Sequence, residues 1–540
     1  MLPLNVRFKV IRDSIHGYVG ITEHEYEILQ SSYFNRLHYI NQHGLANHVY
    51  PNATVSRFSH SIGVLSVSDR YLQSLLQNTC SILGKTTRDM ERMFGRDVTS
   101  VRKIMRYAAL LHDIGQGCFS HATEIIMRNL LMVKYPDEQK EYERIAYRLW
   151  ESAASSRDRI KPLEFKPEMF FKYHEFFSCK IITQENEIRK PIVRDHTSPA
   201  DVASVVVGTR MDGASLSDNG IAILHKILSN HLDADKMDYM LRDSYYLGVS
   251  YGVTDIDRVI DNAFLAQWEG QWNIVFHERA LSAIEDMLSS RLLLFRWIYY
   301  HHLVALYDLL LETFAFELVV RHVVDPRFFH WGNYCHCVGP SQVRCHLATD
   351  SWMLQEGKRL LKTKKVATSY LAALYDRRRL PVSIWKRYDT MRRDLWDRLK
   401  NKGFSDSEVK NRIEQFIRPQ TVQDLQKIER GLMGYLKSKR MIDPACERIR
   451  LKMRTVSPYG WRGEPLLVGT VETEGKLKLL PASAFSPYIQ AMVDELSQVN
   501  QLYCYYFNSY KDREDMKKKA KRIKPHIVDY ISTQMTLAGG

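Results

Sequence analysis

The sequence predicts a mainly α protein: a helical-bundle core, an accessory helical segment and a small C-terminal α/β appendage. Apolar residues recur at three- and four-residue spacing from Glu23 to Met132, from Asn219 to Tyr246 and from Glu278 to His322, the signature of helices with a buried face. Alternating runs such as LLVGTV and LYCYYF gather after residue 450 instead. At 540 residues and 45% apolar content, the chain exceeds a single core and has ample material for a buried site.

In chain order, the core is expected over residues 1–325. Its helices are broken by loops at NQHGLANHVYPNATVS and GQGCFS, and a polar helix and loop near residues 130–170 precede His174. Residues 326–450 are strongly charged and helical in pattern, the accessory segment. Residues 451–540 form the appendage and end in a basic tail. There Lys517, Lys518, Lys519, Lys521, Arg522 and Lys524 are either the wet face of a helix or a phosphate-touching patch.

Charge and composition narrow the class. Lys and Arg number 76 against 62 Asp and Glu, a net charge of +14, which favours an anionic partner such as a nucleotide, a nucleic acid or an acidic surface. The longest apolar region, RLLLFRWIYYHHLVALYDLLLETFAFELVV, carries Arg296, His301, His302, Asp308 and Glu312, so it is expected to be a buried core helix rather than a membrane span. His301 and His302 there read as packing or nucleotide contacts. The opening MLPLNVRFKVIRD lacks a secretory pattern, and eight cysteines are too few for a disulfide framework, so a cytoplasmic location is expected. LGKTT at Leu83–Thr87 is not a phosphate loop, since Thr79 stands where the leading glycine belongs.

Two stretches carry the chemistry. RFSHSIGV, Arg57–Val64, and LLHDIGQGCFSH, Leu110–His121, bring His60, His112 and Asp113 into consideration as ligands of one divalent metal. Imidazole nitrogen with carboxylate oxygen suits manganese, iron or zinc, and tolerates magnesium. Neighbouring residues on a helix point in different directions, so His112 and Asp113 converge only near a helix end, which Gly115 and Gly117 are expected to supply. A fourth ligand comes from HLDADKMDYMLRDSYYLG, where spacing alone leaves Asp233, Asp235, Asp238 and Asp243 open. On that helix Asp235, Lys236, Tyr239 and Asp243 stack at helical spacing, a face suited to a bound metal and phosphate. Against this stands a salt-bridged surface helix. The cluster HWGNYCHCVGPSQVRCH, with His330, Cys335, His336, Cys337, Cys345 and His346, lacks regular zinc-module spacing and reads as a loop with ordinary thiols.

These stretches, with FKVIRDSIHGYVGI, FNRLHYINQHG, VYPNATVSRFSHSIGV, the His-Glu pair at His174 and SSRLLLFRWIYYH, resemble the HD superfamily of metal-dependent phosphohydrolases. The finer likeness is to its dNTP triphosphohydrolase branch, over roughly residues 8–320, with only the catalytic core shared and no sterile-alpha-motif domain expected. The resemblance implies an HD-domain bundle in which His60, His112, Asp113 and Asp235 hold the metal. It implies that Arg57, Lys236, Tyr239 and Arg291 contact the triphosphate, that Asp243 and Tyr299 lie near the sugar, and that Gln42 lies near sugar and base. His121 takes a general-acid role, Glu124 stands where the family has aspartate, and His174 completes a second histidine cluster.

Departures from the family follow. Gln116 replaces a histidine, keeping a hydrogen bond but no titratable proton. His43 and Tyr300 differ around the base, leaving the preferred dNTP open. Lys9, Val10, Arg12, Gln30, Asn35 and His38 occupy the family's activator positions, and Gln30 in place of a carboxylate undercuts guanine selection there.

The expected activity is dNTP + H2O to deoxynucleoside + triphosphate, in a homo-oligomer (dimer or tetramer) with a nucleotide effector and without a membrane partner. A phosphodiesterase or nuclease acting through the basic surface, and a nucleotide-binding regulator without turnover, are the alternatives. A role in host defence is carried by the resemblance alone.

Overall fold

The computed structural model describes residues 8–124, 135–154, 172–320, 349–363, 368–418, 422–456, 465–471, 477–496, 499–509 and 511–537. These residues are mainly helical, as expected. The His330–His346 cluster lies outside them.

The chain divides into two compact units, each assembled from separated stretches. The first contains residues 1–294, 321–353 and 458–497; the second contains 295–320, 354–457 and 498–540. This differs from the contiguous division at 325 and 450. Residues 458–497 join the first unit by strand pairing across sequence, and the helix His302–Val320 packs instead on Thr368–Tyr375 and Val499–Asn508 in the second; linear periodicity reveals neither.

In the first unit the helix Arg57–Leu83 runs through the middle. Ser56 caps its start by accepting from the Ser59 amide, and Gly84, at φ 61°, ends it within LGKTT. Ile62, Val64, Leu65, Val67, Tyr71, Leu72 and Leu75 are buried on several sides, so it is a core helix rather than a half-exposed one. It packs against the helices Val98–Leu111 and Ala234–Leu247 and the strand Ala263–Trp268. A short hairpin, Lys9–Asp13 with Gly17–Ile21, precedes it.

A four-stranded sheet in this unit is the part that helical periodicity left unassigned. Ala263–Trp268 and Gln271–His277 pair antiparallel through Glu269 and Gly270, both at positive φ as a tight hairpin turn requires. Gln271–His277 then pairs parallel with Leu467–Val471, which pairs antiparallel with Leu477–Pro481. Thus LLVGTV is a strand, but of the first unit rather than of a separate C-terminal appendage.

In the second unit Glu447–Val456 pairs along its whole length with Val499–Asn508, and Val382–Ser383 joins the other edge of that strand. The helices Tyr388–Lys400, Asp406–Phe416, Val422–Ser438 and Arg513–Leu537 supply Leu395, Ile413, Leu432, Ile523 and Ile527 to a core shared with Leu451 and Cys504. The basic tail is the outer face of Arg513–Leu537: Ile523, Ile527 and Ile531 point inward, while Lys517 pairs with Glu514 and Lys524 with Asp394. Among the described residues no helix is long and apolar enough to cross a membrane.

Candidate metal centre

Three helices of the first unit bring the motif residues together. His60 sits in the first turn of Arg57–Leu83, fully buried. His112 and Asp113 follow the end of Val98–Leu111, where His112 is the capping residue. Asp235 lies in the first turn of Ala234–Leu247, whose cap Asp233 accepts from the Lys236 amide at 2.7 Å. Ligand atoms of His60, His112 and Asp235 all lie within 4.8 Å of one another. Asp113 Oδ2 stands 3.8 Å from His60 Nε2 and 3.5 Å from His112 Nε2.

The glycine reading needs one correction. Neither Gly115 nor Gly117 has positive φ. Gly115 is required by close approach: a Cβ there would meet the His174 carbonyl and the Ser178 amide at 2.4 Å. The turn after His112 is pressed against the helix Tyr173–Gln184, and the Ser178 hydroxyl donates to the His112 carbonyl at 2.8 Å.

Both imidazoles are oriented by their far nitrogens. His112 Nδ1 donates to the Ala109 carbonyl at 2.8 Å, and His60 Nδ1 donates to Asp238 Oδ2 at 2.7 Å. Since those acceptors have no proton to give, each Nε2 is left facing the carboxylates. Both Nε2 atoms are buried without a hydrogen-bond partner; His60 Nε2 is 2.9 Å from Asp235 Oδ1, but not in hydrogen-bonding geometry. Orphaned imidazole nitrogens aimed at carboxylate oxygens fit a divalent cation.

Asp238 is the residue that spacing could not separate from Asp235. It holds His60 from behind and is itself fully buried, accepting from His16 Nε2 at 2.7 Å and from Arg242, which also pairs with Asp13. Gly63 lets the network fit: a Cβ there would lie 1.8 Å from Asp238 Oδ1. Gly63→Ala is therefore expected to destabilise the fold by about 3 kcal/mol or more through overpacking on a buried ion pair, measured by denaturant unfolding. A loss below about 1 kcal/mol would show that the helices can separate without cost. Asp238→Asn is expected to lower divalent-metal affinity by about 10- to 100-fold by releasing the His60 tautomer, as read by metal titration. Unchanged affinity would remove Asp238 from the account.

Burial opposes protonation of His60, but its contacts with Asp235 and Asp238 raise it to about 9. Burial likewise opposes ionisation of Asp113, yet Arg57 and the imidazoles of His112, His174 and His60 hold its carboxyl well below the ordinary range. Arg57, 4% exposed, reaches Asp113 with one nitrogen, donates from Nε to Ser120 Oγ at 3.0 Å and lies 3.4 Å from His121 Nε2.

A second cluster adjoins the first. His121, Glu124 and His174 converge, with Glu124 accepting from His174 Nδ1 and lying 3.4 Å from His121 Nδ1. His174 Nε2 is 3.5 Å from Asp113 Oδ1, which links the clusters. The His121 side chain is half exposed at 53%, whereas His174 is buried. Gln116 is fully buried, its side-chain Nε2 3.5 Å from Asp113 Oδ1 and its backbone carbonyl accepting from Arg36 at 2.7 Å.

The remaining expected residues are distributed as follows. Arg291 Nε donates to the Tyr239 hydroxyl at 3.3 Å, and Lys236 pairs with Asp233. His43 Nε2 donates to Asp243 Oδ1 at 2.7 Å, and Gln42 is buried beside it in sequence. Tyr299 and Tyr300 belong to the second unit, where the Tyr300 carbonyl accepts from the Tyr503 hydroxyl. Lys9, Val10 and Arg12 lie on the exposed side of the first hairpin, with Arg12 over the Tyr18 ring. Gln30 is exposed, Asn35 donates to the Leu29 and Ser31 carbonyls, and His38 stacks on Phe58 at 3.7 Å.

The chain is similar to known proteins over this region. It is 28% identical over 317 residues to an uncharacterized protein of Methanocaldococcus jannaschii, covering 59% of this chain and 51% of that protein. It is 28% identical over 296 residues to the human deoxynucleoside triphosphate triphosphohydrolase SAMHD1, covering 54% and 42%. An HD domain-containing protein of Acanthamoeba polyphaga mimivirus is 24% identical over 325 residues, 59% of each chain. The chain thus spans about half the length of the curated relatives it matches. A hypothetical protein from Aquifex aeolicus shares the fold with a TM-score of 0.59 at 20% identity, covering 95% of this chain and 99% of that one. A phosphohydrolase from Bacteroides thetaiotaomicron gives 0.55 at 17% identity, covering 93% and 100%. No protein-family model matches.

In its mainly helical fold and in this residue set the chain resembles HD-domain proteins. Within that class the chain resembles the dNTP triphosphohydrolases, SAMHD1 and its homologues among them.

Proposed function

We propose that the protein is a metal-dependent dNTP triphosphohydrolase, splitting dNTP and water into deoxynucleoside and triphosphate. The observation that carries this reading is the convergence of His60, His112, Asp113 and Asp235 beside the buried Arg57 and the His121–Glu124–His174 cluster. His60, His112, Asp113 and Asp235 would hold a divalent cation, which when bound would supply Lewis-acid neutralisation of phosphoryl charge and acidify water.

The other roles fall to side chains. Release of the deoxynucleoside needs attack at the α-phosphorus and a proton for the departing sugar oxygen. His121, half exposed and beside Glu124, is the proposed donor, with Glu124 fixing its ring and that of His174. Arg57, Lys236 and Arg291 place cationic charge for the triphosphate under attack, and Tyr239 positions Arg291. Asp243, oriented by His43, faces the sugar, and Gln42 the sugar and base. Gln116 offers a hydrogen bond without a proton, so His121 and His174 carry the proton traffic.

Regulation belongs to the same proposal: a nucleotide effector near Lys9, Val10, Arg12, Gln30, Asn35 and His38, and assembly as a dimer or tetramer. Incubation with each of the four dNTPs and Mn²⁺ or Mg²⁺, with the products separated, tests the reaction. Deoxynucleoside and triphosphate are expected; monophosphate with pyrophosphate, or no turnover, contradicts it.

A further inference from the structure

Asp350 opens the helix Asp350–Thr363, where a carboxylate ordinarily faces its own free amides. Here it leaves that helix. Its Oδ2 accepts from the Asn41 amide at 2.8 Å and its Oδ1 from the Phe119 amide at 2.6 Å. The side chain is buried, 5% exposed, and its partners lie 309 and 231 residues away in sequence. All three residues belong to the first unit.

What it holds is unusual backbone. Five non-glycine residues have positive φ among the described residues, and two are adjacent here, Phe119 at 56° and Ser120 at 54°. Such conformations persist only where the surroundings over-determine them. Phe119 is 1% exposed, so its ring is needed for packing and glycine cannot replace it. The Ser120 hydroxyl donates to the Asn41 carbonyl at 2.7 Å, closing a ring of contacts through both segments. One segment continues into Gln42 and is pinned to the start of the His60 helix, because the Arg57 amide donates to the Ile40 carbonyl. The other continues into His121.

We propose that Asp350 is a positioning residue: one carboxylate clamps the Asn41 and Phe119 amides, holding the left-handed turn that sets His121 and the Arg57 contact. The clamp itself is independent of substrate, while its effect on turnover rests on the proposed dNTP hydrolysis. Two donors facing two oxygens favour the ionised form. Burial, opposed by the two amides and by Arg36 and Arg57, leaves the carboxyl raised to about 7, so the test belongs at pH 8.

Hydrogen exchange of the full-length, metal-loaded protein decides the clamp. In the wild type the amides of Asn41 and Phe119 are expected to be protected although they lie in irregular backbone, and exchange at open-loop rates there would overturn the proposal without any variant. In Asp350→Asn, one oxygen becomes an N–H2 group that cannot accept. Peptides over 40–43 and 117–121 are then expected to exchange faster while those of the Arg57–Leu83 helix do not, with metal content unchanged. The His121 ring resonances are expected to shift, and kcat to fall about ten- to a hundredfold. A variant with a lower Tm but unchanged kcat and unshifted His121 resonances makes Asp350 merely structural and sinks the positioning claim. If the wild type releases no triphosphate, the functional reading fails, and exchange with the His121 resonances still decides the clamp.

Discussion

Asp235→Ala lowers kcat by about a thousandfold or more, with divalent-metal binding lost in parallel. Asp235 is the proposed ligand that comes from a different helix from His112 and Asp113, and it faces His60 Nε2 at 2.9 Å. Burial opposes its ionisation, but His60 and His112 hold its carboxyl below the usual range, so it is anionic at neutral pH. Removing it leaves two imidazoles and an Asp113 already engaged by Arg57, a set with too little anionic charge for a divalent cation. Its neighbour Asp233 is already committed to Lys236, so no nearby carboxylate replaces it. Metal analysis and steady-state kinetics on the same preparation check this, and retained metal with retained turnover would exclude Asp235 as a ligand.

The second large effect is expected from Arg57→Ala, a loss of about 10²- to 10³-fold in kcat/KM. Arg57 meets three groups at once: Asp113 of the metal set, Ser120 of the strained turn and His121 of the second cluster. Alanine removes a cation from the triphosphate's proposed seat and leaves Asp113 without its guanidinium. Arg57→Lys is expected to recover little, because a single ammonium cannot reproduce a planar fork aimed in three directions. Thermal unfolding and metal content measured alongside separate loss of chemistry from loss of fold. Full activity in the lysine variant would reduce Arg57 to a point charge.

Much of the proposed site was legible because its residues are concentrated in short stretches. His60, His112 and Asp113 declare themselves by residue type, and the helices bearing them by periodicity. The choice among four aspartates was not legible, and the reason is visible at His60. Asp235 and Asp238 are three residues apart on one helical face and both touch that ring, one at Nε2 and one at Nδ1. Spacing cannot say which nitrogen faces outward; only the His16, Arg242 and Asp13 contacts behind Asp238 settle its supporting place.

Long-range partners were invisible for a similar reason. Nothing local to Asp350 announces amides more than two hundred residues away. Gly115 was noticed, but for conformational freedom rather than for the closeness of the His174 carbonyl. The four-stranded sheet escaped as a unit because its two antiparallel pairs, residues 263–277 and 467–481, join only through the parallel pairing of Gln271–His277 with Leu467–Val471, which leaves no local signal in sequence.

The central claim is that four side chains from three helices collect one divalent cation. A crystal of the Mn²⁺-loaded protein, measured for anomalous scattering, tests it most directly. A single strong peak about 2.0–2.3 Å from Nε2 of His60 and of His112 and from carboxylate oxygens of Asp113 and Asp235 is the predicted result. A peak held by His121, Glu124 and His174 alone, or no peak at all, would contradict it.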